Sequence, residues 1–510
     1  MINNIKNRVK PILLLGISIL FIQFTFTDAY AYTKNKHYLF LNQGITTINV
    51  KRAGAAGDGI TDDYPSIEKA ISQSNGPVKI YFPAGSYLVS QAIATTHEEI
   101  TFMFSKNAKL IIPNNSSGGI ILKNNNCKIT GGYFQGNGLS SNDLMKGFGV
   151  MLSGVSNCEV LNCTFDKIGG IDIFLINAGK NGCVQCLIKN NHIKYPAFSR
   201  KLVQDAAGIM LGYSGSGYFH TMNLISGNTI DGNETLAHGI ALITHGKNNT
   251  IIGNSVKNCL RYGIVAYESS YEDYTLSYTN VINNIVQNIG TPNSEPASVY
   301  GMGIYLKGSH YSIVKNNKVT HCLVNTNNQE TLPSGAIALN GSTHCTVDSN
   351  IISDSHRYGI ACSLSFYSTI TNNLIDSVGE SGIYLINTAF NTIKNNKIKR
   401  VTVYGIKGLF GNTSRPNYAA QSSIKEFQNL STGQGIEISH NLIDGSKTKV
   451  ISFTGEDPDS KINYAGNKLD KISIHDNTIT GTADPDKGII LDKAVENGTN
   501  SILHNKTNKE

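Results

Sequence analysis

Between residues 238 and 310 the chain gathers groups that exchange protons and groups that neutralise anions: His238, His245, Arg261, Tyr262, Tyr267, Glu268, Tyr305, Lys307 and His310. An imidazole or a phenol can take or give a proton, and a guanidinium or ammonium can hold a negative charge that grows during reaction. On that basis the catalytic candidates are His238, Arg261, Tyr267, Glu268 and Lys307. Tyr213, His245, Tyr262, Tyr305, His310 and Asn340 are the candidates for holding a ligand, the rings by stacking and the others by hydrogen bonds. Chemistry built on two opposed carboxylates would fall instead to Asp172 and Asp205, with Glu268 and Glu272 as further acids. The plainer reading of any single tyrosine is a ring covering a solvent face.

Residues so far apart in sequence meet only if something repeats beneath them. One phrase does: "YSIVKNNKV", "CTVDSNII", "YSTITNNLI", "FNTIKNNKI", "GIEISHNLI" and "ISIHDNTI". A second follows it: "GIALITHG", "GIVAYESS", "GIYLKGSH", "GIACSLSF" and "GIYLINTA". Apolar residues alternate within each, the period of a half-buried strand. Gly359, Gly382 and Gly405 are spaced by 23 residues, as are Ala336 and Gly359, while Gly239 and Gly263 are 24 apart. Longer intervals, such as 40 from Gly263 to Gly303, contain polar inserts like "YEDYTLSYTN" and "TPNSEPASVY". A constant unit with variable inserts is a solenoid, because one rung cannot close a core.

A rung of this length holding three short strands predicts a parallel β-helix, with equivalent strands stacked about 4.8 Å apart. Ile360, Ile383 and Ile406 then form one inward stack. The Asn of "KNN", "SHN" and "HDN" falls at the bend, where it tolerates left-handed backbone and bonds to its neighbour above. Positions two and four beyond each glycine are expected to face solvent: Asp172/Phe174, Met210/Gly212, Ala241/Ile243, Val265/Tyr267, Tyr305/Lys307 and Ala338/Asn340. Leucine-rich repeats are excluded by the missing L-x-x-L-x-L frame, and propellers by their longer repeat.

The beginning of the solenoid has its own signature. "GAAGDGITDD" reads as a tight turn, and Thr61 or Asp62 can cap a short helix over "DYPSIEKAI", whose Ile67, Ala70 and Ile71 share a face. "VKIYFPAGSYLV" follows as a strand and turn. An open solenoid end exposes a core and strand edges, and a helix across it would cover both. The stretch Gly57-Asp58-Gly59-x-Thr61-Asp62-Asp63, followed by Phe82-Pro83-Ala84-Gly85-x-Tyr87, resembles the opening motif of the pectate-lyase-like superfamily of right-handed parallel β-helices. That group includes polysaccharide lyases, uronate C5-epimerases, glycoside hydrolases and phage tailspikes. The fold class expected is therefore all-β, a right-handed parallel β-helix with a short N-terminal capping helix.

The resemblance implies an acidic, uronate-containing polysaccharide as substrate, cleaved most simply by β-elimination. A lyase needs a cation on the uronate carboxylate, for which Arg261 or Lys307 would serve, plus a base and an acid drawn from His238, His245 and Tyr267. A C5-epimerase would use nearly the same set and return the proton to the other face. A hydrolase ranks behind these, since Asp172 lies rungs away from Glu268 unless Asp205 or Glu272 folds back. A non-catalytic binding solenoid would rely on stacking alone. The Asn-Thr-Asp, Asp-Asp and Gly-His-Gly motifs of polygalacturonase-type hydrolases are not in place, and "AHG" at 237–239 lacks the leading glycine. The Asp-Pro-His-[Glu/Asp] motif of alginate epimerases is missing, as is a calcium-binding acidic cluster. No cofactor is required by these residues; a divalent cation such as calcium has no support among them, and metal ligands stay unassigned.

The totals fit a secreted solenoid. Charged residues are 15%, Gly is 50 of 510 and Trp is absent, so polarity comes from Asn, Ser and Thr. The net charge of +7 is spread thinly along the repeats, which argues against a nucleic-acid partner. Lys6, Arg8 and Lys10 precede "ILLLGISILFIQFTF", and "AYA" at 29–31 offers a cleavage site, so residues 1–31 read as a signal peptide. Residues 32–45 form a leader, 46–90 the cap and first strands, and 91–505 the β-helix with its inserts. No stable membrane span remains after cleavage, localisation is secreted or periplasmic, and no feature sets an oligomeric state. Cys127, Cys158, Cys186 and Cys345 each begin the same phrase, the register of small buried hydrophobes in successive repeats. Zinc binding by these cysteines is disfavoured, because no His or second Cys recurs at ligand spacing.

Overall fold

The corners decide the geometry of each rung. In a computed structural model that describes residues 45–113, 116–138, 146–196, 206–212, 219–243, 245–268, 276–290, 301–322, 335–410, 433–444, 449–454, 469–480, 489–491 and 500–507, the repeated "NN" divides its work between two adjacent residues. The first turns the chain in left-handed backbone: φ is 55° at Asn316, 57° at Asn372, 58° at Asn395, 58° at His440 and 56° at Asp476. The second is buried and hydrogen-bonds along the axis. From Asn317 through Asn350, Asn373, Asn396 and Asn441 to Asn477, each Nδ2 donates to the next Oδ1 at 2.9–3.0 Å. The same Oδ1 atoms accept the preceding backbone N–H groups, so a dry row of amides is satisfied throughout. The sequence reading gave both tasks to one Asn; the structure separates them.

Between corners the chain makes three-residue strands with one buried side chain each, such as Thr369–Thr371 and Thr392–Lys394. Equivalent strands pair in parallel into two 16-stranded sheets, a 14-stranded sheet and a 4-stranded sheet. Sheet one runs from Thr46–Asn49 to Ser501–Leu503 and sheet two from Asp58–Asp62 to Lys506–Thr507. Sheet three runs from Ile93–Ala94 to Ile489–Leu491. Sheet four joins His220–Thr221, Gly246–Lys247, Leu276–Ser277 and Ser309–His310. Inside, apolar residues stack by column. Ile360, Ile383 and Ile406 are paired in register and fully buried, as the spacing predicts. All nine cysteines are buried free thiols, and Cys127, Cys158 and Cys186 occupy the same corner of successive rungs.

At the N-terminal end the helix Tyr64–Ser72 takes the place that sheet-three strands hold in later rungs, and it packs on Ile93–Ala94. Ile67, Ala70 and Ile71 are its buried face. The N-cap position is held by Asp63, where Thr61 or Asp62 was expected, and Asp63 makes no side-chain cap bond. Its carboxylate instead accepts from the N–H groups of Ala56 and Gly57, at 2.6 and 3.1 Å, tying the turn down. Asp62 accepts from Tyr64 N–H and from Ser90, while Asp58 accepts from Ile60 and Thr61. Each acid of "DGITDD" thus fixes a different piece of loop. Gly57 is required there, with φ 63° and the Tyr87 ring 2.9 Å from where a Cβ would stand. Tyr87 is fully buried and donates to the Pro83 carbonyl at 2.8 Å. The proposed signal peptide and nearly all of the leader lie outside the described residues. Among the described residues no helix is long and apolar enough to cross a membrane.

Candidate active site

Four neighbouring strands of sheet three carry the central candidates: His238–Ile243, Tyr262–Tyr267, Met302–Lys307 and Gly335–Asn340. In three of these strands the position before the inward isoleucine is a repeat glycine for steric reasons, and in the fourth it is Ala336. A Cβ at Gly263 would stand 2.3 Å from Val286 and 2.7 Å from the Gly303 carbonyl. Beyond it Ile240, Ile264, Ile304 and Ile337 pair in one inward column. The positions two and four beyond the glycine carry the ring and side-chain contacts of the outer face, but they do not face solvent as expected. Ala241, Val265, Tyr305 and Ala338 are at most 2% exposed. This face is mostly small and apolar, and its side chains are buried. Partial exposure is left at Arg261, Tyr267, Lys307 and His245.

The patch is continuous but not a single point. The rings of His238 and Tyr262 stack at 5.0 Å with planes 7° apart, and Tyr262 meets Tyr305 at 5.1 Å. Asn340 Nδ2 donates to the Tyr305 hydroxyl at 3.1 Å. This diagonal leads to the far end of the strands, where Lys307 pairs in register with both Asn340 and Tyr267. There Lys307 Nζ donates to the Tyr267 hydroxyl oxygen at 3.1 Å and lies 4.3 Å from its ring centroid. Glu268 follows directly; its N–H donates to the Lys307 carbonyl, and its Oε2 is 3.3 Å from His245 Nε2. Glu268 is buried, so its carboxylate orients His245 from inside the wall.

Several expected members fall elsewhere. Arg261 sits before the strand, with its guanidinium 5.5 Å from the Tyr262 ring. Six residues separate it from Tyr267, about 20 Å of extended backbone, so Arg261 and Lys307 do not share a centre. His310 belongs to sheet four, is buried and hydrogen-bonds Thr343 Oγ1 at 2.8 Å. Burial, with His344 nearby, depresses its pKa to about 4. It holds the fold and is not placed to touch a ligand. Tyr213, Asp205 and Glu272 lie outside the described residues.

Asp172 is a correction of register. Ile173 pairs with Val150 on one side and Ile209 on the other, which puts Asp172 in the column of Gly149 and Gly208. A Cβ at those glycines points at Phe165, and at Ile230 and Ile193, all core residues. Asp172 is fully buried, neither carboxylate oxygen has a hydrogen-bond partner, and burial pushes its pKa well up. Counting from Gly170 displaced the strand by two residues. Asp172 therefore does not face a second carboxylate across the outer wall.

Three rungs beyond Tyr262 stands a cluster outside the predicted site residues. Arg357 Nε donates to Glu380 Oε2 at 3.1 Å, and Tyr358 donates its hydroxyl to Glu380 Oε1 at 2.9 Å. Tyr358 stacks on Tyr384 at 4.4 Å, and Lys407 lies over both Tyr384 and Tyr404. Arg357 and Glu380 each stand two residues before a repeat glycine, Gly359 and Gly382, so their pairing across adjacent rungs is recorded by no local pattern. Burial raises the Tyr358 phenol, which removes it from proton exchange.

The sequence matches the family described as "Rhamnogalacturonase A/epimerase, pectate lyase-like" over residues 47–266. It matches the family described as "Right handed beta helix region" over 238–424 and 297–463. The chain belongs to the pectate-lyase-like superfamily of right-handed β-helix proteins. Plasmin and fibronectin-binding protein A of Streptococcus pneumoniae (strain ATCC BAA-255 / R6) is 43% identical over 61 residues, 11% of this chain and 8% of that protein. The curated relatives that match are thus covered over less than a tenth of their length. Among solved structures, the A-module of the Azotobacter vinelandii mannuronan C-5 epimerase AlgE6 aligns with TM-score 0.44 and 14% identity, over 90% of this chain and 100% of that one. PfbA, a surface adhesin of Streptococcus pneumoniae, aligns with TM-score 0.48 and 15% identity, over 86% and 91%. Membership of a superfamily fixes the fold and leaves the reaction to the site.

Proposed function

We propose that the chain is an exported polysaccharide lyase that acts on a uronate-containing polysaccharide by β-elimination, with its chemistry at the Tyr267–Lys307 end of sheet three. The observation that carries this is the contact between Lys307 Nζ and the Tyr267 hydroxyl oxygen, 3.1 Å apart on a half-buried edge, with the His245–Glu268 pair beside it. Lys307 supplies the positive charge for the uronate carboxylate as the C5–H bond weakens. Tyr267 reacts as the phenolate facing the Lys307 ammonium and accepts that proton, the C4–O bond breaks, and a double bond forms between C4 and C5. His245, oriented by Glu268, reacts as the imidazolium and gives its proton to the departing oxygen, ending neutral. Arg261, at the other end of the strand, meets a different part of the polymer. Export rests on the signal-like residues 1–31.

The test is a panel of uronate polymers assayed for the ultraviolet absorbance of an unsaturated uronate, in buffer made with heavy water. Unsaturated product supports the proposal. Deuterium at C5 of intact polymer identifies a C5-epimerase using the same residues. New reducing ends without unsaturation identify a hydrolase, and tight binding with no product identifies a non-catalytic solenoid; all three overturn the lyase reading.

A further inference from the structure

At the C-terminal end, the corner between sheets one and two departs from its usual amides. Successive left-handed corner positions that carry Asn372 and Asn395 in earlier rungs carry His440, Asp476 and His504 here, with φ of 58°, 56° and 56°. Backbone bonds fix their register: His440 N–H donates to the His475 carbonyl and Asp476 N–H to the Leu503 carbonyl. His475, the last residue of its sheet-one strand, turns its ring into the same cluster. Its Nδ1 is 2.8 Å from Asp476 Oδ2, and His440 Nε2 is 4.0 Å from that oxygen. One ligand atom from each of His440, His475 and Asp476 lies within 4.8 Å of the others.

A second feature makes this more than a surface ion pair. The other nitrogen of His475, Nε2, is 3.6 Å from Glu437 Oε1, and that oxygen also accepts from Ser439 Oγ at 2.9 Å. A histidine that offers one nitrogen to a cluster and the other to an oriented carboxylate has the arrangement found behind metal-bound imidazoles. Imidazole and carboxylate donors suit zinc-class divalent ions, whereas calcium and magnesium prefer oxygen alone. We infer that His440, His475 and Asp476 bind a zinc-class divalent ion, with Glu437 holding His475. Ligands about 2 Å from a tetrahedral ion stand about 3.3 Å apart, so binding opens the 2.8 Å contact of His475 with Asp476 and draws His440 in from 4.0 Å. The ion clips adjacent rungs near the end where the solenoid would otherwise fray.

The experiment is calorimetric titration of the tag-free chain with zinc chloride, with calcium chloride as control, followed by thermal melts in each. One zinc per chain, a rise in Tm with zinc alone, and loss of both in His475→Ala and His440→Ala are expected. Glu437→Gln should weaken zinc binding by about tenfold to a hundredfold while leaving the ligands in place. Bound cobalt gives a visible spectrum that reports its coordination, so variants with a lowered melting point are still read. Absence of zinc binding, or binding that survives both His→Ala changes, overturns the site.

Discussion

Arg261-Tyr262-Gly263 and Arg357-Tyr358-Gly359 build the same device at two heights of the solenoid. In each, the guanidinium lies over its neighbouring ring, at 5.5 and 4.8 Å, and the ring meets a tyrosine two beyond the next glycine, at 5.1 and 4.4 Å. They differ in two respects. Glu380 closes the second device, receiving both Arg357 and Tyr358. At the far end of the strands, the first device faces Tyr267 paired with Lys307, while the second faces Ser363 paired with Ile386. What the two share is scaffold, and what they do not share is where chemistry can differ. This moves Arg261 and Tyr262 toward structure and leaves Tyr267, Lys307, His245 and Glu268 as the group proposed to react.

The largest expected effect follows from that division. Lys307→Ala should lower turnover by about a hundredfold to a thousandfold, as when a developing charge loses its partner. Tyr267→Phe keeps the ring and removes the hydroxyl, and should cost a similar factor with little change in KM. Arg357→Ala should leave turnover unchanged. Initial rates for the three variants check the assignment, and a wild-type rate in Lys307→Ala would place the chemistry elsewhere.

A pH profile sharpens the comparison once stability is separated from reaction. His310 is buried beneath the corner that carries Tyr311 and His344, with its pKa at about 4 against an ordinary 6.5. The unfolded chain therefore takes up a proton that the folded chain refuses between these values. Stability is full above pH 6.5, falls as pH drops toward 4, and loses about 3 kcal/mol from this group. Chemical denaturation across that window, repeated in His310→Asn, should show the slope and then its loss. An acid limb of activity that persists in His310→Asn belongs to the site.

How far all this was legible differs between fold and site. The glycine spacing fixed the inward isoleucine column, because a steric rule repeated in every rung leaves a repeated mark in sequence. The same logic failed at Asp172, where the marker glycine is replaced and the nearest one, Gly170, belongs to the turn. Parity correctly put Tyr267 and Lys307 on one outer face, yet it could not show that this face is a buried layer. Nor could it show that Arg261 lies at the opposite end of the strand. The pairing of His245 with Glu268 depends on two chain segments leaving adjacent rungs, which no local pattern records.

The two arginines provide a smaller, paired test. Arg357→Ala removes a half-buried ion pair and a ring contact, which together contribute about 1–2 kcal/mol. Arg261→Ala removes a ring contact that contributes about 1 kcal/mol. If both are scaffold, both variants melt lower, and turnover in Arg261→Ala changes by less than tenfold and mainly through KM. A collapse of kcat in Arg261→Ala would break the parallel between the two devices.

Asp172→Ala has the smallest expected effect and an unusual direction. The column it occupies holds glycine in most rungs and alanine at position 336, so a methyl group is known to fit. In its present place the carboxyl is fully buried, without a hydrogen bond, and with its pKa well up. An orphaned buried polar group costs about 1–3 kcal/mol, part of which Asp172→Ala regains and part of which it gives back as lost packing. A net gain of about 1 kcal/mol is expected. Because the folded pKa is raised, a further penalty is absent below the ordinary value of 3.8 and grows as pH rises through it. The gain in Tm should therefore be larger at neutral pH than in acid. Turnover should be untouched, since the carboxyl lies in the core column and not on the wall that carries Tyr267 and Lys307. Loss of activity with stability intact would mean that Asp172 is kept uncharged for a reaction, and would return the carboxylate-pair chemistry to first place.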